Sequence, residues 1–211
     1  QNGTTTNLDA GTSLTGTGTI YSSDGTMYFN TPTIIPATIT LKQQYASGVL
    51  AGAGPITLNG KFLWDDGTVS VPLTVTSTGS ILIIASSAYL SSAITNNGTI
   101  DWTYGNINFN GGSIINNKAF NIINDDYQLY KSTAGGTFNN TKQGVVTKSS
   151  FGTTTVGIPF TNSGKIKGTG AFAFGTNLTT NTGTFEPGIG VATGIFTTGT
   201  NYKNKKLSIK V

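Results

Sequence analysis

One strand-and-turn string returns about every twenty residues along this chain, and that period restricts the fold more than any other feature. It is plainest in "TNNGTIDW", residues 95–102, with relatives in "INNKAFNI" from 115, "FNNTKQGVV" from 138, "TNSGKIKG" from 161 and "TNTGTFEP" from 180. Asn-Asn-Gly suits a turn that visits left-handed conformations, while Thr, Ile and Trp favour the pleated state. The residue after the Asn pair serves as a marker at Gly60, Gly79, Gly98, Lys118, Thr141, Gly164 and Gly183, with spacings of 19, 19, 20, 23, 23 and 19. Two positions on stands an apolar residue: Phe62, Ile81, Ile100, Phe120, Ile166 and Phe185. The repeat at Thr141 fits after a two-residue shift to Val145. Gly18 with Ile20 continues the series upstream, and a weaker repeat surrounds Ile39.

A finer motif lies inside the period. Gly-x-apolar recurs seven residues later as Gly-x-apolar in Gly18/Gly25, Gly60/Gly67 and Gly98/Gly105. Each half reads as a short strand with alternate residues inward. Helical periodicity is nearly absent, because Gly, Thr and Asn interrupt every apolar stripe. Phase-locked strands this short are stable only when stacked on copies of themselves. The expected fold is therefore all-β, a parallel β-helix of about nine coils of 19–23 residues, roughly 40 Å long at strand spacing. Stacked Asn side chains are expected to bond from coil to coil. Phe62, Trp64, Ile81, Ile83, Ile100, Trp102, Ile166 and Phe185 should face inward, and Lys61, Leu63, Ser80, Thr99, Asp101, Lys165 and Lys167 outward.

The expected organisation is an N-terminal extension or cap over 1–14, the repeat domain over 15–202 and an unfinished strand over 203–211. That last stretch, "KKLSIKV", still alternates at Leu207, Ile209 and Val211, which predicts an assembly contact or a continuing chain at that end. End-to-end self-association is the partner this implies.

Only 9% of the residues are charged and none is Arg, so the dense basic patches that nucleic-acid binding needs are missing. The chain has no Cys and no His, which excludes disulfides, thiol chemistry, histidine metal sites and His-dependent acid–base mechanisms. No apolar run is long enough to span a bilayer as a helix. The strings "GTGTI" and "GTGAF" open no helix and precede no Gly-Lys-Ser/Thr, so they are not phosphate loops. Asn2, Asn97, Asn139 and Asn177 begin N-glycosylation triplets of the kind a Thr- and Asn-rich chain produces by chance.

The repeated Asn-Asn-Gly-Thr-Ile strings resemble right-handed parallel β-helix regions of secreted bacterial surface proteins. These are the filamentous-haemagglutinin-like and autotransporter-passenger-like adhesins and pectin-lyase-like repeat regions. "GTFEPGIGVATGIFTTGTNY", 183–202, is similar to the Pro-Gly element closing such regions, and the resemblance covers roughly residues 15–202. It implies export, a cell-surface or extracellular location and a role in adhesion or scaffolding.

Among residues with chemistry to offer, Asp65 with Asp66 and Asp125 with Asp126 fall at comparable turns, three coils or roughly 14 Å apart, too far to share one ion or one glycosidic bond. Either pair is a candidate for a weak Ca²⁺ site, and otherwise no cofactor is expected. Trp64 and Trp102 should point into the core. Tyr21, Tyr104, Tyr127 and Tyr130 lie at or near turns and are the candidate contacts for surface glycans. The expected function is a non-enzymatic structural or adhesive module. A glycan-binding module is the alternative, followed by a polysaccharide lyase or hydrolase. An ice-binding solenoid would need a flat, regular Thr array, which the uneven spacing and mixed outward residues do not supply.

Overall fold

A computed structural model describes residues 3–187 and 195–198. Among them the chain is all β, wound as a parallel solenoid of about nine turns. Each coil has three faces. The first is a nine-stranded sheet running from Gly18–Ser22 to Thr184–Pro187. The second begins with Thr4–Leu8 stacked on Gly25–Phe29, and the third with Thr33–Ile35 stacked on Ile56–Leu58. In Asn106–Asn116 and Gln128–Asn140 the strand runs unbroken from the second face to the third, which joins both faces into one sixteen-stranded sheet. Positive-φ Gly111 and Gly135 stand where these long strands break register to turn the corner.

The inward residues form one column. Phe62, Ile81, Ile100, Phe120 and Ile166 are fully buried, and Trp64 and Trp102 lie beside them with no exposed surface. Their strand neighbours Lys61, Ser80, Thr99 and Asp101 face out, so the inside and outside assignment from alternation holds. In the C-terminal half the column is aromatic. Ring centroids of Phe120, Phe138, Phe160 and Phe174 follow one another at 5.0, 4.7 and 5.2 Å.

The third strand of each coil was not anticipated, and it changes the reading of the Asn-Asn pairs. An Asn ends that strand and points inward: it is the first of the pair in Asn96-Asn97 and Asn116-Asn117, the second in Asn139-Asn140, and stands before Ser at Asn162. Asn96, Asn116, Asn140 and Asn162 are completely buried, and each Nδ2 donates to the Oδ1 of the next coil at 2.8, 2.8, 2.7 and 2.7 Å, ending on Asn181. The residue after the inward Asn carries an outer ladder: Asn117 Nδ2 donates to Asn97 Oδ1 at 2.8 Å, and Thr141 Oγ1 to Asn117 Oδ1 at 2.9 Å. None of these Asn residues has positive φ, so the expected left-handed turn is replaced by side-chain bonding. The marker glycines from Gly60 onward are also not left-handed. A Cβ on Gly98 would collide with the carbonyl oxygens of Gly79 and Thr76, and one on Gly164 with those of Gly144 and Thr141. Close stacking of turns, not φ, selects glycine there.

The register corrects one coil. Phe120 pairs with Val146 and Val146 with Ile166, so the inward residue is Val146 and the marker is Gly144, not Val145 and Thr141. Thr141–Gly144 is a four-residue turn closed by Gly144 N–H to Thr141 O at 2.9 Å, the same device as Gly79 N–H to Thr76 O at 3.0 Å. The spacing from Ala119 to Val145 is 26 residues, wider than the 19–23 expected, and the other first-face steps run from 19 to 21. The extra length sits in the loop before Gln128 and in the bulged strand Gln128–Asn140.

Candidate functional site

The turn carboxylates are each occupied by their own surroundings. Asp65 pairs with Lys42 at 3.3 Å. Asp66 accepts from its neighbour Gly67 N–H at 2.9 Å and from Ser86 Oγ at 3.1 Å on the next coil. Asp125 and Asp126 accept from the Gly152 and Thr153 N–H groups of the following coil, both at 2.7 Å. The Gly152 N–H holds the Asp125 carboxyl below the usual carboxylate range, with Ser150 and Lys148 adding to the shift and partial desolvation opposing it. Among the described residues no three acidic side chains gather as a metal-binding group. Both pairs act as bridges between coils.

Beside Asp125 and Asp126 lies a lysine that periodicity alone did not single out. Lys148 is fully buried in the inward column, level with Ile122 below it. Its Nζ donates to Asn124 O at 2.9 Å and to Ser150 Oγ at 2.8 Å, and Ser150 Oγ in turn donates to Asn124 O. Burial pushes the ammonium pKa down, and the charges of Asp125 and Asp126 oppose the shift. The column explains why a lysine stands here. Gln43 Nε2 donates to Gly48 O at 2.7 Å, Trp64 Nε1 to Gly67 O at 3.3 Å and Trp102 Nε1 to Gly105 O at 2.7 Å. Four side chains of three kinds at one position meet the same need, a donor for carbonyls turned inward at the corner between the first and second faces. Lys148 is the fourth, a structural donor. The shifted register concealed it. Measured from Gly144 it falls four residues on, as Trp64 does from Gly60 and Trp102 from Gly98.

The candidate tyrosines divide. Tyr21 stands on the first face of the first coil, with Lys42 Nζ 5.9 Å from its ring centre. It is four coils, roughly 19 Å along the axis, from Tyr104 and five from Tyr127 and Tyr130. Tyr104 and Tyr127 meet edge to face at 5.1 Å, at the corner that leads into the second face. Desolvation, and then the adjoining Tyr104 hydroxyl, hold the Tyr127 hydroxyl above its ordinary pKa. Tyr130 follows on the second face, 49% exposed and pointing outward. The register adds a residue that turn-seeking missed: Tyr89, 38% exposed, two coils before Tyr130 in the same outward row. Between them stands Asn108. Though it faces outward, Asn108 is only 8% exposed, and its Nδ2 is buried with no hydrogen-bond partner. Tyr89 stands between inward Ala88 and Leu90, and Asn108 between inward Ile107 and Phe109, whereas Tyr130 follows inward Leu129 and precedes exposed Lys131.

The predicted assembly residues Leu207, Ile209 and Val211 lie outside the described residues. No protein-family model, curated protein or solved structure matches the chain.

Proposed function

We propose that this chain is a non-enzymatic structural and adhesive module, a β-helical segment of a bacterial surface adhesin or of a fibre-forming extracellular subunit. One observation carries the reading: side chains with chemical potential are committed to joining coil to coil. The acids bridge successive turns, the lysine serves inward carbonyls, and the asparagines form two ladders. Such a rod is built for extent and persistence of shape. Export to the cell surface and end-to-end association complete the proposal, supported by sparse charge and by the likeness of the repeat to surface β-helices. Glycan binding is the second reading, favoured by the outward row Tyr89–Asn108–Tyr130.

The test is a depolymerisation assay of the purified chain on pectin, alginate, xylan and host-type glycans, with and without Ca²⁺. The expected result is no new reducing ends or unsaturated products above a heat-denatured control. Product release that scales with protein concentration would overturn the non-enzymatic reading in favour of a lyase or hydrolase.

A further inference from the structure

We propose that the second face carries a binding site for an extended β-1,4-linked hexopyranose chain lying along the solenoid axis, held by Tyr89 and Tyr130 with Asn108 beneath it. The inference rests on the reading of the chain as a non-enzymatic surface module and names what one of its faces takes hold of.

The geometry comes from the sheet. Tyr89 pairs with Asn108 and Asn108 with Tyr130, so the two rings rise from the same outward row two strands apart. At parallel-sheet spacing that is roughly 9.6 Å. Two hexopyranose units of an extended β-1,4 chain cover nearly the same length, and such a chain offers the same ring face at every second unit. Each tyrosine therefore meets a sugar face in the same orientation. Sugar C–H groups on an aromatic face, with the phenol hydroxyl left free to bond at the rim, suit a side chain that is apolar in body and polar at its tip.

Two further observations point to a ligand. The first is Asn108 itself. A buried amide N–H without a partner is rare and costs stability unless something satisfies it. This one lies in the row between the two rings and is covered in the free chain, so a hydroxyl of the intervening sugar unit meets it when the Asn108 side chain turns toward the track. The second is the residue after Tyr130 in the row. Gly157 stacks there, and the atom nearest to a Cβ built on it is Leu129 O at 3.1 Å, with the Tyr130 Cα at 3.9 Å. The next coil thus presents no side chain beside Tyr130, so a chain can continue past it along the axis. On the other side Thr68 precedes Tyr89, a short residue that also leaves the path low. A row of small residues with two rings and an unpaired amide is a shallow track, suited to a polymer rather than to a compact ligand.

Cellohexaose and chitohexaose are titrated against the full chain by calorimetry and by NMR. The expected outcome is saturable binding of at least one hexamer, with the corresponding disaccharide weaker by about tenfold because it cannot span both rings. Tyr89→Ala and Tyr130→Ala should each weaken the hexamer by about tenfold. Ile34→Ala, exposed on the third face, should leave its affinity unchanged. If neither hexamer binds, or if binding survives Tyr89→Ala and Tyr130→Ala together, the site is wrong. Should the double variant fail to fold, the ring resonances of the unaltered chain decide: shifts on titration at Tyr89 and Tyr130 support the site, and shifts only elsewhere overturn it. Shorter products appearing during the titration would count against the non-enzymatic reading, whereas absent binding counts against this site alone.

Discussion

The N-terminal and C-terminal coils fill the same corner, where the third face ends, with opposite chemistry. In the early coils the inward residue there is Ile35, then Leu58, then Val75, each fully buried. From the next coil onward it is Asn96, Asn116, Asn140, Asn162 and Asn181. The early corner excludes water and lets backbone bonds close its turns, as Ile39 N–H does to Pro36 O at 3.0 Å. The late corner keeps such bonds, as Gly144 N–H to Thr141 O at 2.9 Å, and adds the amide itself. Asn96 Oδ1 accepts from Gly98 N–H at 3.0 Å, while its Nδ2 reaches Ala119 O on the following coil at 2.8 Å. An apolar corner residue is stabilised by its own burial, whichever apolar neighbour it has. A buried amide is stable only if its surroundings supply partners for both its N–H and C=O groups, since each unmet group costs about 1–3 kcal/mol. The early corner therefore tolerates apolar substitution one residue at a time, and the late corner behaves as a unit.

The largest expected effect comes from moving the late chemistry into the early corner. Leu58→Asn places an amide between Ile35 and Val75, neither of which can bond it, and should cost about 4 kcal/mol in urea unfolding from lost burial plus a poorly paired polar group. Val75→Asn should cost at least about 1 kcal/mol less, because its neighbour Asn96 offers one hydrogen bond and the ladder simply lengthens by a rung. Equal costs at the two positions would break the distinction between the corners. The reverse exchange, Asn140→Leu, fits the volume but strands Asn116 Nδ2 and Asn162 Oδ1, for a net loss of about 2–4 kcal/mol. Adding Asn116→Leu and Asn162→Leu should cost less than the sum of the three single changes, since the stranded groups disappear with their partners.

A smaller effect separates the buried lysine from the ladder. Burial lowers the Lys148 pKa from the ordinary 10.5, so over the interval just below that value the folded chain has released a proton that the unfolded chain keeps. Stability should rise with pH through that interval. Thermal melts of the unaltered chain and of Lys148→Met, compared between neutral pH and pH 10.5, should show the variant lacking that part of the rise. Parallel curves would mean that Lys148 titrates as an exposed lysine does. The smallest effect belongs to the outer surface. Thr99→Asp, on the first face, should change stability by no more than about 0.5 kcal/mol, whereas Ile100→Asp beside it should cost several times that.

How far the molecule could be read from its sequence follows from the same contrast. Strands whose alternation is apolar were plain, which is why the solenoid, its direction of stacking and the inward place of Trp64 and Trp102 were anticipated. The third strand was hidden because its inward residue in the late coils is Asn, and Asn before Gly reads as a turn. The pattern apolar-x-Asn in Ile94-x-Asn96, Ile114-x-Asn116 and Phe160-x-Asn162 held the missing period. Lys148 was lost for a related reason: Thr141 looked like a marker, and the three-residue displacement to Gly144 moved the lysine out of its column. Of the tyrosines, Tyr104 and Tyr127 were correctly placed near a corner. Tyr89 and Asn108 were invisible without register, because only pairing between distant strands brings them into one row with Tyr130.

The continuous amide ladder is the central claim, and side-chain hydrogen exchange addresses it most directly. In an amide-resolved NMR experiment after transfer to D₂O, the Nδ2 protons of Asn96, Asn116, Asn140 and Asn162 should persist as long as the core backbone amides, because every one of them is buried and bonded to the next coil. Asn59 Nδ2, at the same turn on the outside of an early coil, should exchange quickly. If the four inner carboxamides exchange as fast as Asn59, the late corner is open to water and the ladder does not exist.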